Sequence, residues 1–169
     1  MNLVAFMFHD VVARGASDTS GFPGRAAARY KLDHREFEEH CRAIASVAPP
    51  GAVRLLSHDG QARAEPTVTL TFDDGGCSAS EHIADALEAR GWRAHFFVTT
   101  DYVGAPGFLT RSEIRALRAR GHGIGTHSCS HPERMSRLPG DELALEWRKS
   151  VRVLSDLLGK AVITASVPQ

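Results

Sequence analysis

The hydrophobic positions of the chain fall into short apolar runs and longer segments with a helical period. The clearest run is Thr67–Phe72, in which threonines alternate with Val68, Leu70 and Phe72. β-Branched and aromatic residues in alternation predict a buried strand. Shorter apolar runs predict further strands at residues 2–8, 52–56, 94–99, 122–126 and 161–166.

Between these runs, apolar residues recur every three or four positions, which predicts amphipathic helices. Asp33 with Glu36, and Thr110 with Glu113, have the spacing of capping boxes and mark two helix starts. Two further helices, each followed by a glycine, are predicted at residues 81–90 and 141–158. Because strands and helices alternate along the chain, we expect an α/β fold with a parallel sheet.

Two adjacent carboxylates, Asp73 and Asp74, stand where the strand Thr67–Phe72 ends. Like charges at a buried strand end repel each other, and their desolvation is costly unless a metal ion or a bound proton compensates. Asp-Asp-Gly is also a common turn sequence, so this motif alone assigns no function. Neighbouring residues of an extended chain point to opposite sides, so one carboxylate can bind a metal while the other stays free.

A pair of histidines is expected at the same edge of the sheet. His127 and His131 follow the strand predicted at residues 122–126, and the carboxyl ends of parallel strands meet on one side. One aspartate with two histidines suits zinc and neighbouring divalent metals. Such a site favours hydrolysis of an amide or ester, because the metal lowers the pKa of a bound water and polarises a carbonyl. The second carboxylate is placed to take the proton from that water.

Three more residues are candidates for supporting roles. Ser128 lies between the two histidines and can orient a ligand through a hydrogen bond. His9 and Asp10 follow the first predicted strand and are expected on the same rim, either in the binding pocket or as structural residues. They lead into a polar, glycine-containing loop at residues 10–30, and loops of that length are often functional or mobile. A second polar connector is expected at residues 57–66.

Composition excludes several classes of protein. At 169 residues and 43% hydrophobic, the chain is long enough for one well-buried domain and short for two. The 20 lysines and arginines balance the 20 aspartates and glutamates, so no net field favours nucleic acid or an anionic membrane. The three cysteines lack C-x-x-C spacing, which argues against a cysteine-ligated zinc site. The sequence has neither an apolar membrane span nor a basic signal-peptide start, so a cytoplasmic location is expected.

The motifs together resemble those of a known family. T-F-D-D-G at Thr71–Gly75, with H-S-C-S-H at His127–His131, is similar to the paired signature of the polysaccharide deacetylases, the NodB-homology domain of carbohydrate esterase family four. The opening F-H-D-V at Phe8–Val11 is similar to the Y-H-x-V start of many bacterial members. The resemblance covers most of the chain.

This resemblance implies both a site and an activity. Asp74, His127 and His131 correspond to the ligands of a divalent metal, commonly zinc, with cobalt, nickel, manganese and iron(II) as alternatives. Asp73 corresponds to the catalytic base that activates a water on this metal. The implied reaction removes N-acetyl or O-acetyl groups from a glycan, so an acetylated carbohydrate is the expected partner and nucleic acid is not.

The sequence departs from the family pattern at its C-terminal end. Family members continue with an arginine- and proline-containing segment, and then with motifs that include the histidine acting as general acid, whereas this sequence stops at Pro168-Gln169. We therefore expect a single domain over residues 1–169: an incomplete NodB-like distorted (β/α) barrel of about five or six parallel strands with flanking helices. An open sheet exposes backbone and apolar surface, so an oligomer or a partner chain that completes the barrel is expected.

Two alternatives to a glycan deacetylase are left open by the sequence. One is a catalytically impaired fragment that binds metal or sugar, or serves as an interaction module. The other is a hydrolase of C–N bonds in molecules other than sugars, which keeps the same residues and changes only the substrate.

Overall fold

The computed structural model describes residues 3–56 and 66–168. Its strands are β1 (Leu3–Phe8), β2 (Val11–Val12), β3 (Leu32–Asp33), β4 (Thr67–Phe72), β5 (His95–Val98) and β6 (Gly123–Thr126). Its α-helices are α1 (Arg25–Ala28), α2 (His34–Val47), α3 (Ala84–Glu88), α4 (Arg111–Ala119) and α5 (Gly140–Leu158). A π-helical turn, Ala79–Ile83, leads into α3, and 3-10 turns lie at Ser17–Thr19, Thr100–Tyr102 and Met135–Arg137.

Four strands form the main sheet in the order β1-β4-β5-β6, and every neighbouring pair is parallel. The strands β2 and β3 form a separate parallel pair. The register places Phe8 beside Phe72 and Phe72 beside Phe96, and Val98 beside Thr126. The carboxyl ends of β1, β4 and β6 therefore lie at one edge of the sheet. The predicted α/β class, with parallel strands and flanking helices, is confirmed.

The core lies between the sheet and the helices. Leu70 and Phe72 of β4 are buried in the same apolar cluster as Phe37 of α2. The rings of Phe8, Phe72 and Phe96 stack across three adjacent strands, with centroids 5.3 Å apart in each step. Because β4 is buried between two neighbours, its carboxyl end is held rigidly, and the residues that follow it are well positioned.

The helix starts read from capping boxes are confirmed. Asp33 Oδ1 accepts a hydrogen bond from the Glu36 backbone N at 2.8 Å, and Glu36 Oε2 accepts one from the Asp33 backbone N at 2.8 Å. Thr110 and Glu113 form the same reciprocal pair at the start of α4. Gly159 ends α5 with a φ of 62°, as the glycine after that helix indicated.

Three predictions about irregular segments need correction. Residues 10–30 are not one long loop, because they contain β2, a 3-10 turn and α1. Residues 52–56 and 161–166 are not strands: they form only the bridges from Val53 to Val68 and from Ala165 to Thr126. In the second segment, the Val162 backbone N donates to Ser155 Oγ of α5, so it is not available to the sheet. The connector predicted at 57–66 lies outside the described residues except for its last position.

The β1 edge of the sheet is open within the described residues. There β1 pairs only with β4, and the sheet does not close into a barrel. Four apolar side chains of β1 are between 40% and 57% exposed, namely Leu3, Val4, Phe6 and Met7. No helix in the described part of the chain is both long and apolar enough to cross a membrane.

The capping box of α2 provides a test of this local structure. Asp33→Ala removes the side-chain acceptor of the Glu36 N–H, so the free energy of unfolding should fall by about 1 kcal/mol in urea titrations. Asp156→Ala is the control, because this residue on α5 is exposed and pairs with the exposed Arg152; its effect should stay within about 0.5 kcal/mol. Equal losses in the two variants would contradict the assigned cap.

Candidate metal and catalytic site

A cleft of about 230 Å³ opens at the edge of the sheet where β1, β4 and β6 end. Asp73 and Asp74 follow β4, His127 follows β6 and His9 follows β1, and all four line this cleft together with His131. The structure thus brings the predicted base and the three predicted ligands into one place, although they are far apart in the sequence.

Asp74, His127 and His131 form a group that could hold a metal ion. Oδ1 of Asp74 lies 3.4 Å from Nε2 of His127 and 3.4 Å from Nε2 of His131. Ligand atoms about 2.0–2.1 Å from a tetrahedral ion are about 3.4 Å apart. Asp74 Oδ1 is also buried without a hydrogen bond. Both the spacing and the unsatisfied oxygen fit a divalent metal with an Asp-His-His ligand set.

Hydrogen bonds from its ring and from its backbone fix the orientation of His127. Its Nδ1 lies 3.1 Å from the carbonyl oxygen of Ser166, which can only accept, so Nδ1 carries the proton. Its backbone N donates to Val98 O at 3.0 Å, which continues the ladder between β5 and β6. Nε2 faces Asp74, and in the neutral ring it is the unprotonated nitrogen, as a metal ligand requires.

Asp73 is held apart from the ligand group. Its Oδ2 accepts a hydrogen bond from Ser166 Oγ at 2.7 Å and lies 3.9 Å from His127 Nδ1. Its Oδ1 is buried and has no hydrogen-bond partner. One oxygen of Asp73 is thus anchored, while the other is free to accept a proton or a hydrogen bond in the cleft.

The two carboxyl groups differ in acidity. Burial raises the pKa of Asp73 above its usual value, and the neighbouring charge of His127 and the hydrogen bond from Ser166 only partly oppose this. Burial acts on Asp74 in the same direction, but its contacts with His127 and His131 outweigh it and lower the pKa below its usual value. This difference suits a proton-accepting group beside an ionised ligand.

The backbone around the candidate ligands is strained. Asp74, Ser128 and His131 have φ angles of 73°, 66° and 55°, and they are the non-glycine residues with positive φ in residues 3–56 and 66–168. Thr99 N donates to Asp74 O, and Thr100 N donates to Ser128 O, both at 3.3 Å. Backbone strain of this kind persists only where surrounding contacts enforce it, and it concentrates at functional sites.

Glu146 of α5 holds the loop between the two histidines. Its Oε2 accepts hydrogen bonds from the backbone N of Cys129 at 2.9 Å and of Ser130 at 2.8 Å, and its Oε1 accepts one from Ser130 Oγ at 2.8 Å. These bonds fix the turn that directs His127 and His131 towards the same point. Glu146 is therefore a positioning residue for the histidine pair.

Asp10 lies on the predicted rim but does not line the cleft. Its Oδ1 accepts hydrogen bonds from Ser20 Oγ at 2.6 Å and Ser78 Oγ at 2.8 Å, and its Oδ2 lies 4.0 Å from Lys31 Nζ. A Cβ on Gly76 would lie 2.0 Å from Oδ1, so only glycine fits there. Asp10 thus joins the segment after β1 to the turn after β4, which is a structural arrangement.

The other two supporting candidates lie where the sequence placed them but make different contacts. His9 lines the cleft, and its ring centroid is 5.1 Å from that of Tyr30. Ser128 Oγ accepts a hydrogen bond from the His131 backbone N at 3.1 Å. Ser128 therefore supports the turn that carries the second histidine and does not bond to an imidazole in this structure.

Sequence reasoning missed Ser166 and Glu146. Ser166 was predicted only as a strand residue, and Glu146 only as part of a helix. Both act through contacts between segments distant in the sequence, and neither belongs to a motif with a recognisable spacing. A polar residue next to the apolar stripe of the last helix was the only available signal for Glu146.

Comparison with known proteins gives consistent matches. A family model described as polysaccharide deacetylase matches residues 60–169. A chitin deacetylase from Pestalotiopsis sp is 31% identical over 94 residues, which make up 56% of this chain and 31% of that protein. The chain thus spans about a third of the length of that relative.

Solved structures share the fold of this chain. The Streptococcus pyogenes deacetylase PplD, in complex with acetate, superposes with a TM-score of 0.80 at 18% identity, over 99% of this chain and 74% of that one. IcaB from Ammonifex degensii superposes with a TM-score of 0.76 at 22% identity, over 99% and 74% of the two chains. At these identities the likeness concerns the fold, and it confirms the expected NodB-like architecture.

The role of Glu146 can be tested through metal affinity. Glu146→Ala leaves the N–H groups of Cys129 and Ser130 without their acceptor, so the histidine turn should relax and zinc affinity should fall about 10- to 100-fold. Glu146→Gln keeps one carbonyl oxygen and should lose less. Dissociation constants come from competition with a chromophoric chelator, alongside thermal melting of the metal-free proteins.

A matched control separates positioning from general stability. Glu142→Ala changes an exposed glutamate on the same helix and should leave zinc affinity unchanged. A folded Glu146→Ala protein with the affinity of the unsubstituted chain would show that Glu146 does not position the histidines.

Proposed function

Because this chain belongs to the polysaccharide deacetylase family, we propose that it is a metal-dependent hydrolase that removes acetyl groups from a glycan. The observation that carries the proposal is the convergence of Asp74, His127 and His131 beside a second buried carboxylate, Asp73, in one open cleft. The chitin deacetylase relative and the acetate bound to PplD support an acetylated glycan as substrate.

In this proposal Asp74, His127 and His131 hold the metal ion, for which zinc is the first candidate. When bound, a divalent metal at this set of ligands polarises the acetyl carbonyl and lowers the pKa of a water. The Ser166 carbonyl and the Glu146 carboxylate keep the two imidazoles in place, so the ligands are preorganised by the chain.

Asp73 serves as the general base. Its free Oδ1 takes a proton from the attacking water, while the hydrogen bond from Ser166 keeps Oδ2 fixed. Burial raises its pKa, which strengthens it as a proton acceptor. The water oxygen forms a bond to the acetyl carbon, and the bond from that carbon to the sugar nitrogen or oxygen breaks. A proton returns to this leaving atom, so the products are acetate and a free amine or hydroxyl group.

Metal stoichiometry is the first test of the proposal. After incubation with zinc and gel filtration, mass spectrometry should find about one zinc ion per chain. His127→Ala removes one of the three ligands and should reduce this to a small fraction, whereas His40→Ala, on the exposed surface of α2, should retain it. Folded protein without zinc would exclude the metal site.

Asp73→Asn tests the base. The variant should still bind one zinc ion, because Asp73 is not in the ligand group. Its release of acetate from N-acetylglucosamine oligomers should fall by at least about 10²-fold, since general bases contribute rate factors of this size. Asp156→Asn, on the exposed face of α5, should keep full activity. Unchanged turnover in Asp73→Asn would exclude the assigned base.

Measurements of zinc binding and acetate release also separate a glycan deacetylase from the two alternatives. Zinc binding without acetate release from any acetylated substrate would favour a binding or interaction module. Acetate release from N-acetylated amines that are not sugars, with none from oligosaccharides, would favour a hydrolase of other C–N bonds. An oligomer that completes the open sheet is part of the proposal and predicts a dimer or larger species in light scattering.

A further inference from the structure

We propose that Tyr30, supported by the ring of His9, is a stacking surface that binds a pyranose ring of a neutral glycan beside the metal site. This inference rests on the proposed function and specifies its substrate: an uncharged acetylated glycan. Tyr30 lies outside the segment that matches the family model, which begins at residue 60.

Tyr30 is an exposed residue in the wall of the cleft. Its side chain is 63% exposed, yet it lines the cleft that contains Asp73, Asp74 and His127. Its ring centroid is 5.1 Å from that of His9, with 33° between the ring planes. One face of the tyrosine is thus covered by an imidazole, while most of the side chain is open to a ligand entering the cleft.

The segment that displays Tyr30 is held rigidly. Lys31 Nζ donates hydrogen bonds to the carbonyl oxygens of Ser17, Ser20 and Phe22 at 2.5 to 2.7 Å. The same ammonium lies 4.0 Å from Asp10, and its side chain is only 3% exposed. The residue next to Tyr30 is therefore fixed, so the backbone that carries the ring loses little conformational entropy when a ligand binds.

The apolar character of the surroundings suits a sugar face. Met7, Ala26 and Ala27 line the same cleft as Tyr30. A tyrosine presents an apolar ring face together with a polar hydroxyl group, and a pyranose likewise has an apolar C–H face and polar edges. The combination favours ring stacking over recognition by charge.

The charges along the cleft favour a neutral ligand. Of the residues described around it, Lys31 carries the one ammonium or guanidinium group. Its three N–H donors already bind three carbonyl oxygens, so it has none left for a sulfate, phosphate or uronate on a sugar. An uncharged glycan is therefore the class that fits.

The test measures glycan binding to the zinc-loaded protein by isothermal titration calorimetry, with the β-1,4-linked tetramer of N-acetylglucosamine as the probe. Tyr30→Ala should weaken binding about tenfold, whereas Tyr30→Phe keeps the ring and should stay within about twofold. Tyr30→Leu, which is apolar but lacks a ring, should lose affinity like the alanine variant. Val47→Ala changes an 82% exposed apolar residue of α2 and is the control.

The outcomes distinguish this inference from the proposed function. If the unsubstituted protein binds the tetramer and Tyr30→Ala binds it equally well, the stacking surface is wrong while the deacetylase proposal stands. If the zinc-loaded protein releases acetate from acetylated glycans but binds an oligomer of uronate more tightly than the neutral tetramer, the neutral class is wrong. Absence of both glycan binding and acetate release would overturn the proposed function itself.

Discussion

Two carboxylates buried side by side at the end of β4 are the constraint on which the site depends. Asp73 and Asp74 are 4% and 7% exposed, and a buried carboxylate without partners destabilises a fold by several kcal/mol. The groups that surround them can be understood as responses to this burial. His127 and His131 face Asp74, and Ser166 donates a hydrogen bond to Asp73. The strands hold these groups at one edge, because the parallel sheet brings their carboxyl ends together.

The parts that could be predicted from the sequence are those set by short-range patterns. The alternation in Thr67–Phe72 gave β4 with its observed ends, and two capping boxes gave the starts of α2 and α4. The meeting of Asp74 with His127 followed from one further rule, that parallel strands present their carboxyl ends on the same side. Local pattern and topology were thus sufficient for the backbone of the site.

The parts that could not be predicted depend on contacts between distant segments. Ser166 and Asp73 are 93 residues apart in the sequence, and Ser78 reaches Asp10 across 68 residues. The apolar run at residues 161–166 has the composition of a strand, yet it bridges to β6 at a single residue and then uses Ser166 to orient His127. Composition does not encode which backbone group a segment will bond, so such roles appear only once the fold is known.

The position of Asp73 bears on whether the site binds a metal only or also performs hydrolysis. The candidate ligand group of Asp74, His127 and His131 does not include Asp73, so a site for metal binding alone would have no need of a second buried carboxylate. Its presence adds like charge next to Asp74 and leaves one buried oxygen without a hydrogen bond. Ser166 anchors only the other oxygen. A costly group that is oriented but left half unsatisfied is what a proton acceptor requires, and this favours hydrolysis over a binding module.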